Sequence, residues 1–201
     1  MKKAVVIGAT GTLGQVVAAQ LKERHEVIEV GATRGAYKVD STDPASIERL
    51  FREIGKVDAI VTTIGKVHFG PLPDMTVDQF WIGLRDKLMG QINVVLTAQP
   101  YLNDGGSFTL TSGIVGDEPI REGANATTVN LALEGFVRGA AIELPRGIRI
   151  NLISPTVLEE SMESYAPFFR GFEPVTAKRA ALAYSRSVEG AQTGRVYRVG
   201  Y

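Results

Sequence analysis

The chain has 201 residues, with 22 basic against 22 acidic side chains, two histidines and no cysteine. That length suits one domain with a full core. Balanced charge argues against nucleic-acid and anionic-membrane partners, and the absence of thiols excludes disulfides and Cys-ligated metals. His25 and His68 are too far apart in the chain to suggest a histidine-rich metal site. No apolar run reaches membrane-spanning length. Met1-Lys2-Lys3 leads into a strand and then a glycine loop, where a signal peptide would carry its cleavage site, so a cytoplasmic location is expected.

Apolar runs of strand length alternate with helical patterns from end to end, which reads as α/β with a parallel sheet over residues 1–201 as one domain. Ala4-Val5-Val6-Ile7 is a buried strand closed by Gly8. Leu13, Val16, Val17 and Leu21 form a helical stripe. Glu26 to Val30 is the second strand. Only Gly31 to Ala36 separate it from Tyr37-Lys38-Val39. That is too short for a helical crossover, so a short third strand with no helix before it is expected. Asp43-Pro44 caps and opens a helix carrying Ile47, Leu50, Phe51 and Ile54. Ala59 to Val61 is a strand, and Thr76-Val77-Asp78-Gln79 fits a capping box opening a long helix toward Leu96 or beyond. Phe108 to Leu110 is the fifth strand. Ala126 to Leu144 is a helix stopped by Pro145 and Gly147. A strand from Ile148 to Ile153, a helix near Thr176 to Val188 and a strand near Val196 to Val199 complete about seven strands.

Gly8-Ala9-Thr10-Gly11-Thr12-Leu13-Gly14 joins a buried strand to a helix. Glycines there permit a tight turn and close backbone approach, so amide groups and a helix N-terminus can face a pyrophosphate. A structural turn with close helix packing is the plain alternative. The loop is followed, in order, by Asp40-Ser41, Thr62-Thr63-Ile64-Gly65, Leu133 to Arg138, Gly147-Ile148-Arg149-Ile150-Asn151 and Ser154-Pro155.

With that ordered set the chain resembles the short-chain dehydrogenase/reductase family over almost its whole length, though it is shorter than usual. The resemblance implies a Rossmann-type doubly wound parallel sheet binding a nicotinamide dinucleotide. The cofactor positions it implies are Gly8, Thr10, Gly11, Thr12, Leu13, Gly14, Asp40, Ser41, Thr63, Ile64, Gly65, Pro155 and Val157. An NAD enzyme usually ends its second strand with an acid. Here Gly31-Ala32-Thr33-Arg34 stands instead, and Thr33 with Arg34 suits a 2′-phosphate, so NADP is expected, with NAD as the alternative. The family pairs two helices across a two-fold axis. Gly90, Gly135, Gly139 and Ala140 would allow close packing there, so a homodimer or homotetramer is expected.

The family's chemistry uses an Asn, a Ser, and a Tyr and Lys four residues apart on one helix face. Here the tyrosine position falls on Ala126 and the lysine position on Asn130, while Ser112 is kept and the asparagine position falls on Lys87. The amine and the amide have exchanged places, so Ser112, Lys87 and Asn130 are the candidate catalytic residues, with no metal. The plain readings are a snorkelling surface lysine and a capping or core asparagine. His68 is a further candidate acid. Asp117, Glu118, Arg121 and Glu122 form a polar loop that either orients a substrate or faces solvent. Tyr165, Phe168, Phe169 and Phe172 suggest a lid or packing cluster. The expected function is an atypical oxidoreductase acting on a carbonyl or alcohol substrate. The alternative is a non-catalytic NADP(H)-binding sensor or interaction protein.

Overall fold

A computed structural model describes residues 1–201 and shows one parallel sheet of seven strands in the order β3-β2-β1-β4-β5-β6-β7. The strands are β1 (Lys2–Ile7), β2 (His25–Gly31), β3 (Tyr37–Lys38), β4 (Val57–Thr62), β5 (Leu102–Thr111), β6 (Arg149–Pro155) and β7 (Val196–Val199). Alternation along β1 sends Val5 and Ile7 into one core and Ala4 and Val6 into the other, as a strand's two-residue period requires. On the first face lie α2 (Pro44–Ile54), α4 (Gly90–Ala98) and α5 (Ala124–Glu143), contributing Phe51, Val94 and Leu133. On the second face lie α1 (Thr12–Lys22) and α7 (Ala177–Glu189), contributing Leu21 and Tyr184. The sheet is therefore doubly wound. Its order reverses between β1 and β4, and a crevice at such a switch point is where open α/β sheets bind ligands.

Local signals in the sequence are realised as hydrogen bonds. Asp43 caps α2 by accepting from the Ala45 N–H at 2.9 Å, and Pro44 holds the first helical position. Thr76 and Gln79 form the reciprocal capping box that opens α3 (Val77–Gly83). The third strand is two residues long, pairing Val30 with Tyr37 and Gly31 with Lys38. The turn before it is so tight that a Cβ on Gly31 would fall 2.1 Å from the Arg34 carbonyl oxygen.

The expected long helix runs continuously from Val77 to Ala98, with one irregularity. The helix opened at Thr76 is not uniform: between α3 and α4, Leu84–Met89 form a π turn, and Lys87 stands in it. Such wide turns are commonly found at functional sites. The remaining helix, α6 (Met162–Tyr165), is short and follows β6. No helix is long and apolar enough to cross a membrane, and no group of three or more His, Cys, Asp or Glu is placed to hold a metal ion.

Candidate active site

The glycine loop is fixed by β2, whose Val30 carbonyl accepts from the N–H groups of Gly8 (2.8 Å) and Ala9 (3.1 Å). Gly8 has φ +94°, a conformation that favours glycine. A Cβ on Gly14 would lie 2.0 Å from the Gly8 carbonyl oxygen, so only glycine lets the helix approach the loop this closely. Helix α1 begins after Gly11 with no side chain capping it. The amides of its first turn, from Thr12, Leu13 and Gly14, are left for a ligand, and a helix N-terminus favours an anion. The Leu13 side chain itself packs on the core, so its contribution is its amide. These features fit the pyrophosphate of a dinucleotide.

Beside the loop runs a groove of about 410 Å³, lined by Gly8, Thr33, Asp40, Ser41, Ile64 and Gly65 among others. The Asp40 carboxylate accepts from the Thr42 hydroxyl (2.7 Å) and N–H (2.9 Å), which hold it below the usual carboxylate range. Asn93 fixes the next residue by donating to the Ser41 carbonyl at 3.1 Å. Thr63 is turned inward, its N–H and hydroxyl both on the Ile7 carbonyl at 2.8 and 3.3 Å. Arg34 is exposed, with its guanidinium 3.4 Å from the Thr10 carbonyl at the rim of the glycine loop.

Past Gly65 the groove meets a second cavity of about 200 Å³, which Pro155 and Val157 also line. Lys87, Ser112, Asn130 and Ala126 all face it. The Lys87 ammonium donates to Asn130 Oδ1 at 2.8 Å and to the Ser112 carbonyl at 3.2 Å. Asn130 is buried, and its Nδ2 donates to the Gly113 carbonyl at 3.1 Å, so its oxygen is oriented toward the amine. The Ser112 hydroxyl donates to the Asn130 carbonyl at 3.2 Å, tying the end of β5 to α5. The Lys87 stem keeps some exposure while the ammonium is desolvated, and that burial lowers its pKa to about 8. The plain reading of Lys87 as a solvated surface lysine is therefore corrected.

Two residues make room for that arrangement. Gly65 has φ +120°, and a Cβ there would come within 2.4–2.5 Å of the Lys87 Cα, Cβ and Cγ. The closing loop thus needs glycine to let the lysine stem pass. Gln91, which sequence reasoning missed, fastens the π turn to the sheet. Its Oε1 accepts from the Thr62 hydroxyl (2.6 Å) and the Thr111 N–H (2.8 Å), and its Nε2 donates to the carbonyls of Thr111 (2.9 Å) and Lys87 (3.2 Å). The signal was present: Gln91 is polar on the buried stripe of Val94, Val95 and Ala98. Beneath it the buried Tyr184 hydroxyl meets Thr111 Oγ1 at 2.7 Å, and burial pushes the phenol pKa up.

Other candidates stand elsewhere. His68 does not line the cavity, and its backbone N–H donates to Asn125 Oδ1 at 2.9 Å. Asp117 is committed to structure, its two oxygens accepting from Arg198 (2.6 and 3.1 Å) and one also from the Tyr201 hydroxyl (2.8 Å). Arg121 and Glu122 border a separate outer groove with Phe168 and Phe172. Tyr165 and Phe169 do form a cavity wall, joined by Phe69, whose ring is 5.1 Å from Phe168 and 5.9 Å from Tyr165.

The chain is similar to known proteins over most of its length. A family model described as enoyl-(acyl carrier protein) reductase matches residues 7–197. The hydroxynaphthalene reductase of Aspergillus fumigatus is 28% identical over 150 residues, covering 70% of this chain and 55% of that protein. The bifunctional ribulose 5-phosphate reductase/CDP-ribitol pyrophosphorylase of Haemophilus influenzae is 31% identical over 79% of this chain, which spans only 35% of it. Among solved structures, the protein lin1944 from Listeria innocua is 48% identical with a TM-score of 0.97, covering 99% of this chain and 100% of that one. A small-chain dehydrogenase in complex with NADPH is 27% identical with a TM-score of 0.88, covering 98% and 96%. Glycine loop, switch-point groove, ordered motifs and family match agree, and the chain belongs to the short-chain dehydrogenase/reductase family.

Proposed function

We propose that this protein is an NADP-dependent oxidoreductase of a carbonyl/alcohol pair in which Lys87, oriented by Asn130 and Ser112, performs the proton chemistry. The observation that carries this reading is the Lys87 ammonium 2.8 Å from Asn130 Oδ1, in the cavity left open by Ala126. Bound NADP(H) supplies or accepts the hydride. Protonated Lys87 then donates to the substrate oxygen during reduction, and the neutral amine takes that proton during oxidation. Asn130 aims the amine, while Ser112 offers hydroxyl lone pairs to a substrate O–H.

The sign of the pH dependence follows. With a pKa of about 8, Lys87 is an ammonium below that pH and a free amine above it. Reduction is expected to slow as pH rises through about 8, and oxidation to quicken through the same range. A nicotinamide-absorbance assay over a panel of ketones, aldehydes and alcohols tests this. A reductive rate that stays flat for about two units either side of that pH would sink the role of Lys87.

NADP is favoured by the absence of an acid at the end of β2 and by Arg34 at the rim of the glycine loop. The neighbour holding NADPH supports the same choice. Arg34→Ala is expected to weaken NADPH binding by roughly 10- to 100-fold, the worth of a charge-assisted phosphate contact, while leaving NADH unchanged. Calorimetric titration of both cofactors checks it, and equal affinities in the unmutated protein would refute the assignment.

We further propose that the protein is a homodimer or homotetramer. On α5, Leu131 is 48% and Ile142 is 87% exposed, on the stripe that holds Gly135 and Gly139, and Leu96 of α4 is 56% exposed beside it. Apart from the adjoining backbone of α5 itself, no atom lies within 4 Å of where a Cβ would stand on either glycine, so a partner's helices could approach closely. Light scattering at micromolar concentration is expected to give at least twice the chain mass, and Gly139→Glu is expected to reduce it to one chain. A monomer mass for the unmutated protein would overturn the proposal.

A further inference from the structure

The cavity beside Lys87 has three properties that together define an occupant. First, Lys87 is the only charged side chain lining it, and its two acceptors, Asn130 Oδ1 and the Ser112 carbonyl, are neutral. An ammonium in apolar surroundings without a counter-ion is costly, and an anion brought against it binds strongly there. Second, most of the donors at the ammonium itself are committed. An ammonium has three N–H groups, of which two are spent, and the Ser112 hydroxyl hydrogen is spent on the Asn130 carbonyl. The one N–H left on the ammonium suits a single anionic oxygen. Third, the cavity of about 200 Å³ is lined by the rings of Phe69, Tyr165 and Phe169 together with Ile114 and Val115. An apolar cavity of about 150 Å³ holds one benzene ring, and aromatic walls favour a planar guest.

Resting on the reading of this site as an oxidoreductase centre, we infer that the Lys87 cavity takes a single aromatic ring bearing one ionised oxygen, so that the substrate class is the monocyclic quinone/hydroquinone couple. The balance is complete. Reduction of a quinone needs two electrons and two protons. The electrons and one hydrogen arrive as hydride from the dihydronicotinamide, which is oxidised, and the second proton comes from the Lys87 ammonium. Two C=O bonds become two C–OH groups, and the amine recovers its proton from water. The hydroquinone monoanion is a far weaker base than the alkoxide of a simple ketone. Pairing it with a fixed ammonium meets the need that the family's tyrosine otherwise meets.

The test uses the cofactor-free protein with 4-nitrophenol as the probe, following phenolate absorbance as pH is varied. The bound phenol is expected to ionise at least one pH unit below its value in free solution, a tenfold preference for the anion. Lys87→Met is expected to abolish that shift. Should that variant fail to fold, the shift in the unmutated protein decides alone. Failure to bind, ionisation at or above the free value, or equal displacement of the probe by benzoate overturns the inference. Turnover of quinones, ketones and aldehydes is assayed separately. Turnover of other carbonyls without a phenolate shift defeats only this inference, whereas a shift without any NADPH oxidation defeats the redox reading on which it rests.

Discussion

Lys87→Met is expected to yield a protein that is more stable than the parent and slower by about 10²–10⁴-fold in carbonyl reduction, the range supplied by a positioned proton donor. Both effects come from the same atom. Desolvation lowers the Lys87 pKa from the ordinary lysine value to about 8, so the folded chain holds that proton less tightly than the unfolded chain. Below pH 8 the fold therefore carries the full cost of a desolvated ammonium, on the order of 3 kcal/mol. As pH rises from about 8 toward the unfolded lysine value, the parent should gain stability, because the unfolded state then binds more protons than the folded one. Methionine fills a similar volume with no charge, so urea unfolding at neutral pH should show the gain, offset in part by the lost hydrogen bonds to Asn130 and Ser112. At pH 10 or so the difference should shrink. A destabilised Lys87→Met variant, or one with parental reductase rate, would mean that the ammonium is a structural tie. This is the trade of stability for function that active sites commonly show.

How much of this was legible in the sequence depends on the range of the interactions involved. The sheet and helices were readable because strand alternation and helical stripes are local patterns, as in Ala4 to Ile7 and in Val16, Val17 and Leu21. The Asp43-Pro44 cap and the Thr76-Gln79 capping box were readable for the same reason, since each closes within one turn. The short third strand followed from chain length alone. The π turn at Leu84–Met89 was not readable. Leu84 and Leu88 keep the spacing of an ordinary α-helix, and the wide turn depends on Gln91 reaching β4 and β5 and on Gly65 making room for the Lys87 stem. Those partners lie 20 or more residues away, so no local pattern records them. The roles of His68 and Asp117 were open in the sequence for a related reason. Asp117 is settled by Arg198 and Tyr201, 81 and 84 residues further on. The proposed exchange of Lys87 and Asn130 rests on a departure from the family pattern, and the structure adds that the two side chains touch.

That contact makes a mutational cycle the sharpest test of the site. Asn130→Lys alone replaces the acceptor 2.8 Å from the Lys87 ammonium with a second ammonium, and two like charges about 4 Å apart near a protein surface repel by about 4 kcal/mol. It also removes the hydrogen bond to the Gly113 carbonyl. A severely destabilised protein is expected. Lys87→Asn alone removes the site's only charge and should leave a stable, nearly inactive chain. Combining the two restores one ammonium and one amide in exchanged positions, so stability should recover well beyond the sum of the single changes. Sites that do not interact would add within about 0.5 kcal/mol, and additivity in urea unfolding would show that the residues do not share a site. Ala126→Tyr added to the exchanged pair then places a tyrosine four residues before the new lysine, on the cavity-facing side where both positions already stand. The cavity has room for that ring. The triple variant should reduce simple ketones about 10²–10⁴-fold faster than the exchanged pair without the tyrosine, whereas Ala126→Tyr with Asn130→Lys on a chain that keeps Lys87 should gain nothing, because two ammonium groups then compete for one space.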